Sequence, residues 1–386
     1  MSNETAGFTF VTPPRLVVGR GAATDDRLVN EAKRLGTRPL IVTGHSLRRS
    51  GALDTLVTNL RNAGLSPAVH EGVPPEPDIE ALTAAMEAVD AAKADLVIAV
   101  GGGSPLDIGK AAAALSGTGH SPRDYFTGKA KVPEAVSRPI IAVPTTAGTG
   151  SEATWVSVLV DRETGDPYPR KASIRGGSMM PAVALLDAEL TVTCPPSVTA
   201  ASGMDAFVQA LESFTSVGAN PLTDALSRDA LARIGRSLET AFREPENRPA
   251  REGMLLGSYM AGAALNTSRL GLVHGLAHPV GAITGAAHGS VCGLLMPPVA
   301  RFNRDAAHDR YEDAAFSLGL RSAEALIDRI EDLLVRLAIP RRLSEIGVRP
   351  EHLDYIATES MKSGSTKANP RPVGVEDARA VLESCL

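Results

Sequence analysis

The sequence predicts a two-domain protein, with an α/β domain over residues 1–195 and an all-helical domain over residues 196–386. Three observations support this division. The chain of 386 residues is longer than one ordinary hydrophobic core requires. Strand-like and helix-like segments alternate in the first half, whereas helix-like segments alone follow in the second. Between the halves stands Cys194-Pro195-Pro196, and consecutive prolines interrupt strands and helices alike.

The predicted strands are four short apolar runs without polar alternation, a pattern typical of a parallel sheet that is buried on both faces. They cover Pro39–Thr43 and residues 95–100, 139–143 and 182–186. Helical periodicity appears between them at residues 54–63 and 79–92. Strands that alternate with helices predict a mainly parallel sheet.

In the second half, Ala- and Leu-rich segments repeat their apolar residues with helical spacing. The predicted helices cover residues 199–215, 221–242, 251–266, 323–337 and 375–385. A cleft between an α/β half and a helical half is a common position for a ligand site, and we expect one here.

The composition excludes several classes of function. Hydrophobic residues make up 44% and charged residues 22%, which is ordinary for a globular protein and argues against disorder. A net charge of −5 offers no attraction to phosphate backbones, so we expect no nucleic-acid partner. The apolar runs are too short for a bilayer, and the first ten residues do not resemble a secretory signal. The three widely spaced cysteines fit no disulfide framework, and we expect a cytoplasmic protein with no membrane partner.

Two glycine-rich loops are candidate nucleotide-binding sites. Residues 101–110 (GGGSPLDIGK) follow a predicted strand and open a helix, where glycines and free N–H groups can approach a diphosphate. A plain tight turn is the alternative. Residues 144–154 (PTTAGTGSEAT) also follow a strand, and their hydroxyls and amides suit ribose and phosphate oxygens. Because both loops lie at the carboxyl ends of predicted strands, we favour a nucleotide site over two surface turns.

A group of polar residues in the helical half points to a metal site. Asp205 and Gln209 are four residues apart and share a helix face. Downstream, His274, His278 and His288 lie within fifteen residues of an otherwise apolar segment. One such histidine alone is better explained as a hydrogen-bonded core residue. Three together with an aspartate predict a divalent cation and a proton relay.

Taken in order, these motifs resemble the iron-containing alcohol dehydrogenase family. Further matching segments are PPSVTAASGMDA at residues 195–206, GLVHGLAHPVGA at 271–282 and NPRPV at 369–373. The resemblance implies a dehydroquinate synthase-like fold, with a Rossmann-like domain for NADP(H) or NAD(H) and a helical domain for the metal. It also implies reversible hydride transfer between the nicotinamide and a small-molecule alcohol or aldehyde.

The resemblance further implies roles for particular residues. Asp205, His274 and His288 fall on metal-ligand positions, and Gln209 stands where the family has a further ligand, a histidine. Fe(II) is the implied metal, with Zn possible. His278 falls on a non-ligating histidine near substrate and nicotinamide, and is the expected catalytic residue. In the two loops and beyond, the expected cofactor-binding residues are Gly102, Gly103, Ser104, Asp107, Thr145, Thr146, Thr149 and Lys171.

The residues after the strand Pro39–Thr43 bear on cofactor choice. Dinucleotide folds that prefer NAD(H) place a carboxylate at such a strand end to hold the ribose 2′-hydroxyl. Gly44 occupies this place here, and Ser46, Arg48 and Arg49 follow it. A hydroxyl and two guanidinium groups suit a 2′-phosphate, so we expect a preference for NADP(H), with Gly44 and Ser46 as cofactor contacts. The alternative is that the arginines are solvated at a helix start.

Two rival functions stay open. A non-redox lyase of the dehydroquinate synthase type shares the layout, but residues 271–288 contain no Arg or Lys for a polyanionic substrate. A maleylacetate reductase resembles the chain in length and in NPRPV, although that branch typically replaces the aspartate at Asp205. Lys367 could meet an anionic substrate, and a solvated surface lysine is the alternative.

The N-terminal residues 8–18 form an apolar, strand-like stretch with little nearby sequence to cover it. In the resembling family such edges pair between subunits. We therefore expect a homodimer with two-fold symmetry, or a higher homo-oligomer.

Overall fold

The computed structural model describes residues 7–163 and 167–386 and contains a six-stranded parallel sheet followed by helices. The strands, numbered along the chain, are β1 (Leu16–Val18), β2 (Pro39–Thr43), β3 (Ala68–Glu71), β4 (Leu96–Gly101), β5 (Ile140–Pro144), β6 (Val156–Asp161), β7 (Arg170–Arg175) and β8 (Val183–Leu186). β6 and β7 form a separate antiparallel pair, and the other strands form the sheet in the order β1-β8-β5-β4-β2-β3. The prediction of an α/β first half is confirmed.

The helices of the first half are α1 (Asp26–Leu35), α2 (His45–Arg49), α3 (Ala52–Asn62), α4 (Ile79–Ala91), α5 (Gly103–Leu115) and α6 (Pro122–Phe126). Those of the second half are α7 (Pro196–Thr215), α8 (Pro221–Arg243), α9 (Arg248–Ser268), α10 (Leu272–Thr284), α11 (His288–Asn303), α12 (His308–Ser317), α13 (Ala323–Arg336), α14 (Leu353–Ser360) and α15 (Val375–Glu383). All of residues 196–386 are described and none forms a strand, which confirms the all-helical second half. None of the described helices combines the length and apolar character needed to cross a bilayer.

The strand order creates a crevice at one edge of the sheet. The chain passes from β2 outward to β3 and then returns to the other side of β2 as β4. Open parallel sheets bind ligands at the carboxyl ends of the strands where the order reverses in this way. Thr43 of β2 is level with Val100 of β4, and Gly101 is level with Pro144 of β5. Gly44 and both glycine-rich loops therefore leave the sheet at the same edge.

The sheet is buried on both faces, which explains the unbroken apolar runs in the sequence. On one face Leu40 and Val97 pack with α4 and α5, and on the other Ile41 and Ile98 pack with α1 and α3. The helical half has its own core around α7, in which residues 203–215 are all buried. A side chain on any face of α7 is therefore held in place by packing.

Two parts of the first half differ from the sequence prediction. Within residues 8–18 the strand is confined to Leu16–Val18, which pairs with β8 at the edge of the sheet. Phe10 packs instead in a small cluster with Tyr259 of α9. The β6–β7 pair was not predicted, because polar residues interrupt both strands and leave no continuous apolar run of strand length: Ser157 in β6, and Arg170, Lys171 and Ser173 in β7. The first six residues, part of the stretch judged unlike a secretory signal, lie outside the described residues.

Candidate active site

A cavity of about 510 Å³ opens between the sheet edge and the helical half. From the sheet side it is lined by Gly103, Ser104, Asp107, Thr149 and Lys171, and from the helical side by Asp205, Gln209, His274, His278 and His288. One cavity therefore joins half of the predicted cofactor residues to all of the predicted metal and catalytic residues. The remaining predicted cofactor residues lie outside this lining, namely Gly44, Ser46, Gly102, Thr145 and Thr146.

The first glycine-rich loop ends in a helix N-terminus that no side chain caps. Gly102 is the N-cap residue of α5, and it offers no side-chain acceptor to the helix N–H groups. A Cβ atom on Gly103 would lie 2.6 Å from Thr149 Cγ2, and one on Gly102 would lie 3.4 Å from Thr146 Oγ1. Close approach of the two loops therefore requires glycine at position 103. The free N–H groups and the positive end of the helix dipole remain available for a diphosphate.

Asp107 ties the second loop to the first. One of its carboxylate oxygens accepts a hydrogen bond from Ser151 Oγ at 2.5 Å, and the other accepts from the Val158 N–H at 2.8 Å. Buried Lys110 lies 3.2 Å from Asp107 and donates to the carbonyl of Ser151 at 2.9 Å. Asp107 thus acts as an anchor for both loops and for β6, while its edge still lines the cavity.

Lys171 on β7 forms an ion pair with Glu76, a contact that no local sequence pattern predicts. Glu76 lies in the turn before α4 and has a φ of +52°, in the left-handed region that glutamate rarely adopts. The Lys171 side chain is only 7% exposed, so its charge is held at the cavity wall and balanced there by the Glu76 carboxylate.

The surroundings of Gly44 correct one premise of the cofactor prediction. Gly44 is the N-cap residue of α2, which contains Ser46 and Arg48. Arg48 Nε donates to Glu71 Oε2 at 2.5 Å, and this contact lowers the pKa of the Glu71 carboxyl. A carboxylate therefore does stand beside this strand end, although none follows Gly44 in residues 45–49. Glu71 ends β3, the strand beside β2, and lies too far along the chain to be noticed from residues 44–49.

Three helices bring the predicted metal residues together. Asp205 and Gln209 lie one turn apart on buried α7, His274 lies in the first turn of α10, and His288 is the first residue of α11. His274 Nε2 is 3.3 Å from Asp205 Oδ1, and His288 Nε2 is 4.0 Å from the same oxygen. His278 lies one turn after His274, and its ring centre is 5.4 Å from that of His288. These spacings suit a single bound cation with His278 beside it.

Glu212 on α7 orients His274 and was missed at the sequence level. Its carboxylate lies 2.6 Å from His274 Nδ1 and accepts from the Val273 N–H at 2.7 Å, so it also caps α10. A carboxylate behind a ligating histidine fixes the tautomer and the ring orientation. Glu212 is three residues after Gln209 and seven after Asp205, so helical spacing was the available signal.

The protonation states prepare this cluster for a cation. Burial lowers the pKa of both His278 and His288, that of His278 to about 3, and the Lys171 charge adds to each effect. Both rings are therefore neutral, the form that binds a metal or accepts a proton. Burial also opposes a charge on His274, but Cys292, Asp205 and Glu212 outweigh it and raise the His274 pKa. Metal binding at His274 should accordingly release a proton.

Two buried polar atoms test whether a metal fits. Gln209 Oε1 and His288 Nδ1 have no hydrogen-bond partner among the described residues. An unpartnered buried acceptor costs about 1–3 kcal/mol, and a cation would relieve that cost for Gln209. One carboxylate, imidazole nitrogens and an amide oxygen together form a donor set that suits a divalent transition metal.

Cys292 is a further candidate ligand that the sequence analysis did not identify. Its Sγ lies 3.6 Å from His288 Nε2, one turn further along α11, and the side chain is fully buried. Ligand atoms of Asp205, His274, His288 and Cys292 all lie within 4.8 Å of one another. In the sequence, the four-residue spacing between His288 and Cys292 was the feature that could have predicted this contact. A thiolate among these ligands would favour Zn over Fe(II), because soft ligands select Zn.

Basic side chains also line the cavity, which corrects the expectation drawn from residues 271–288. Arg175 ends β7 and Arg269 follows α9, so both enter the cavity from outside that segment. Lys367 is exposed and does not line the cavity, whereas Ser365 does. The absence of a basic cluster therefore no longer argues against an anionic substrate.

The fold and this cavity define a class, the oxidoreductases that combine a dinucleotide-binding sheet edge with a metal-binding helical half. Residues 13–188 match the family model described as iron-containing alcohol dehydrogenase. Residues 199–386 match the C-terminal model of the Fe-containing alcohol dehydrogenase family. The chain belongs to the iron-containing alcohol dehydrogenase family, as the motif resemblance implied.

Individual relatives agree with this assignment. A probable alcohol dehydrogenase, EutG, of Salmonella typhimurium is 36% identical over 94% of this chain and 91% of its own length. An NAD-dependent methanol dehydrogenase of Bacillus methanolicus is 34% identical over 98% of this chain and 99% of its own. The crystal structure of a 1,3-propanediol oxidoreductase superposes with a TM-score of 0.90 at 32% identity, over 99% of this chain and 100% of that one. The chain is a metal-dependent, NAD(P)-linked alcohol dehydrogenase or aldehyde reductase, and the predicted function is confirmed.

Proposed function

We propose that hydride transfer takes place in the cavity between the sheet edge and the helical half. The observation that carries this proposal is the shared lining, in which Gly103 and Thr149 of the cofactor loops face the same space as Asp205, His274 and His288. The uncapped N-terminus of α5 binds the cofactor diphosphate, and Lys171 of β7, on the same side of the cavity, also contacts the cofactor. Gly102, Ser104, Asp107, Thr145 and Thr146 shape this edge.

Asp205, His274 and His288 hold a divalent metal, with Gln209 as the expected further ligand. When bound, Fe(II) or Zn supplies Lewis acidity to the substrate oxygen. Glu212 keeps the His274 ring turned towards Asp205. The burial of α7, α10 and α11 restricts water at the reacting groups, which strengthens electrostatic interactions there.

His278 moves the proton that accompanies hydride transfer. It lines the cavity one turn from His274, and its low pKa keeps it neutral at physiological pH. During alcohol oxidation the neutral imidazole can take the substrate proton at one ring nitrogen as it releases a proton from the other towards solvent, and during aldehyde reduction the same relay runs in reverse. His278 thus acts on the proton while the nicotinamide acts on the hydride.

The preference between cofactors depends on the residues around Gly44. Ser46 and Arg49 support binding of NADP(H), whereas the carboxylate of Glu71 can accept from a ribose 2′-hydroxyl and supports NAD(H). Because Glu71 already engages Arg48, we propose that both cofactors are used, with a smaller preference for NADP(H) than two free arginines would give.

The exposed edge of β1 bears on the oligomeric state of the protein. The outer edge of β1 has no neighbouring strand among the described residues, and Leu16 and Val18 are 39% and 52% exposed. We propose that this edge pairs in a homodimer, which a mass measured by light scattering at micromolar concentration would test.

The cysteines Cys194, Cys292 and Cys385 are unpaired, which supports a reducing, cytoplasmic location. The division into domains at residues 195 and 196, where α7 begins, also stays a prediction.

The test of the proposed site is a set of turnover measurements on protein loaded with a defined metal. Oxidation of NADPH and NADH is followed with a panel of small aldehydes, alongside the metal content. We expect aldehyde reduction to require the metal and to be lost on chelation. Full activity in chelated, metal-free protein would mean that the Asp205, His274 and His288 cluster has no part in catalysis.

A further inference from the structure

Arg269 has a backbone conformation that arginine rarely adopts. It follows α9 with φ +66° and ψ −169°, a region populated almost entirely by glycine. Strain of this kind persists where the surrounding structure enforces it and is concentrated at binding and catalytic sites. Arg269 lies five residues before His274 and lines the cavity. The strain therefore occurs at the active site.

Arg175 brings a second guanidinium into the same cavity. Arg175 lies on β7, two residues after Ser173 and four residues after Lys171. The three side chains therefore share one face of the strand, and all three line the cavity. Burial lowers the pKa of the Arg175 guanidinium, and the charge of Arg269 lowers it further, so the two cations are close enough to repel. Holding them together favours an anion between them.

The described residues supply no carboxylate as that anion. Among residues 7–163 and 167–386, neither Arg175 nor Arg269 has an acidic side chain within ion-pair distance. The acidic groups of the cavity are engaged elsewhere, Glu76 with Lys171, Asp107 with Lys110, and Asp205 with His274. Arg175 Nη2 donates to Ser173 Oγ at 3.2 Å, and Arg269 Nη1 lies close to Gly364, another residue of the cavity wall.

We propose that Arg175 and Arg269 form a subsite for an anionic group of the substrate itself. The substrate class is a short aldehyde, or the matching alcohol, that carries a carboxylate at the end remote from the reacting carbon. Guanidinium groups recognise carboxylates through paired, charge-assisted hydrogen bonds. The metal-binding cluster and the arginines line one cavity, so one short molecule can reach both. This inference rests on the proposed hydride-transfer function and adds the class of substrate that the enzyme selects.

The experiment compares 4-oxobutanoate with its methyl ester, which keeps the aldehyde and removes the charge. We expect wild-type protein to favour the anion by about tenfold or more in kcat/KM, a difference carried mainly by KM. Arg269→Gly and Arg175→Ala should each lower that preference at least about fivefold, and Arg269→Lys should restore part of it. Arg170→Ala is the matched control, because Arg170 lies on the same strand but stacks on Phe126 outside the cavity.

Arg269→Gly separates recognition from folding. Glycine adopts the backbone conformation of residue 269 without strain, so the variant should melt at the same or a higher temperature while it loses the preference for the anion. Equal kcat/KM for the two aldehydes in the wild type would overturn the proposal. So would a rise in KM for NADPH as large as that for 4-oxobutanoate, since the arginines would then serve the cofactor phosphates.

Direct binding keeps this proposal distinct from the proposed site of hydride transfer. Titration of 4-hydroxybutanoate into the metal-loaded protein by calorimetry requires no turnover. We expect binding that weakens at least about fivefold in Arg269→Gly and weakens with added salt. If 4-hydroxybutanoate binds but 4-oxobutanoate is not reduced, the proposed hydride-transfer site is contradicted and the anion subsite is supported. Reduction of the ester with no measurable binding of 4-hydroxybutanoate would contradict the subsite alone.

Discussion

The two walls of the cavity are built in opposite ways. On the sheet side, glycines and hydroxyl residues let two loops approach so closely that a Cβ on Gly103 would lie 2.6 Å from Thr149 Cγ2. On the helical side, the reactive groups are the ends of larger side chains such as His274 and His288, set in place by buried helices. The sheet wall depends on glycines, which lack the side-chain atoms that would hold the two loops apart. The helical wall depends on the side-chain atoms that its histidines supply. Added atoms should therefore damage cofactor binding, and removed atoms should damage the metal site.

The largest effect is expected from removing a side chain of the helical wall. His288→Ala deletes one of the proposed ligands, so both the metal and its Lewis acidity should be lost. A loss of several kcal/mol in transition-state stabilisation corresponds to a fall in kcat/KM of about a thousandfold or more. Metal content by elemental analysis and aldehyde reduction check this together.

His278→Ala is the control for His288→Ala, because His278 lies beside the cluster without being a proposed ligand. We expect it to keep the metal and to lose about a hundredfold or more of the activity, the range for one general acid–base group. The distinction between ligand and proton relay would fail if His278→Ala also lost its metal.

The second effect concerns an added atom on the sheet wall. In Gly103→Ala the new Cβ meets the Thr149 side chain, and one of the two loops must shift. The KM for NADPH should rise about ten- to a hundredfold, the scale expected for a displacement of about 1 Å. Metal content should stay at the wild-type level.

Thr149→Ser provides a rescue, because it removes the Cγ2 atom that the new Cβ contacts. The double variant should recover part of the cofactor affinity. If Gly103→Ala binds NADPH like the wild type, then close approach of the loops is not what requires glycine at this position.

Both walls could be predicted from the sequence, but for different reasons. The sheet wall is written in contiguous motifs, since each loop directly follows a strand, and the apolar runs placed those strands within one residue. The helical wall was predicted from residue types and spacing, with Asp205 and Gln209 one turn apart and the histidines grouped nearby. Contacts between elements distant in sequence were beyond reach in both.

The site residues that the sequence did not predict act through contacts with distant parts of the chain. Glu71 and Glu76 act through partners on other strands or turns, and Glu212 acts through a histidine 62 residues away. Arg269 was missed because its strained backbone and its place in the cavity appear only in three dimensions. The local pattern predicts which groups face the site, whereas their partners depend on how the helices and the sheet pack.

A third, smaller effect is expected at Gln209, where the helical wall is weakest. Gln209→His replaces an unpartnered amide oxygen with an imidazole on the same buried helix. Because imidazole is the stronger ligand for a transition metal, the metal dissociation constant should fall about tenfold. Hydride transfer should persist. Competition with a chelator measures the affinity, and Gln209→Met, which lacks the oxygen, is the matched control.

Cys292→Ser tests whether the thiol shares this role. With Co(II) as a probe, a thiolate ligand gives an intense absorption band in the near ultraviolet that oxygen and nitrogen ligands lack. If the wild type shows the band and Cys292→Ser loses it, Cys292 is the further ligand and the assignment of Gln209 is wrong. We expect no such band in the wild type and a metal affinity that depends on Gln209.

The smallest effect is expected at the rim of the sheet wall, where Glu71 engages Arg48. This ion pair is partly exposed, and solvent screens such pairs, so the response should be modest. Glu71→Gln removes the negative charge that holds Arg48 and that strengthens acceptance from a ribose 2′-hydroxyl, so Arg48 becomes more available to a 2′-phosphate. The ratio of kcat/KM for NADPH to that for NADH should therefore rise about two- to fivefold. Asp54→Asn is the control, since Asp54 contacts Arg48 from α3 at 3.3 Å but does not lie at the strand end. A ratio that falls in Glu71→Gln would mean that Glu71 positions Arg48 for the phosphate rather than withholding it.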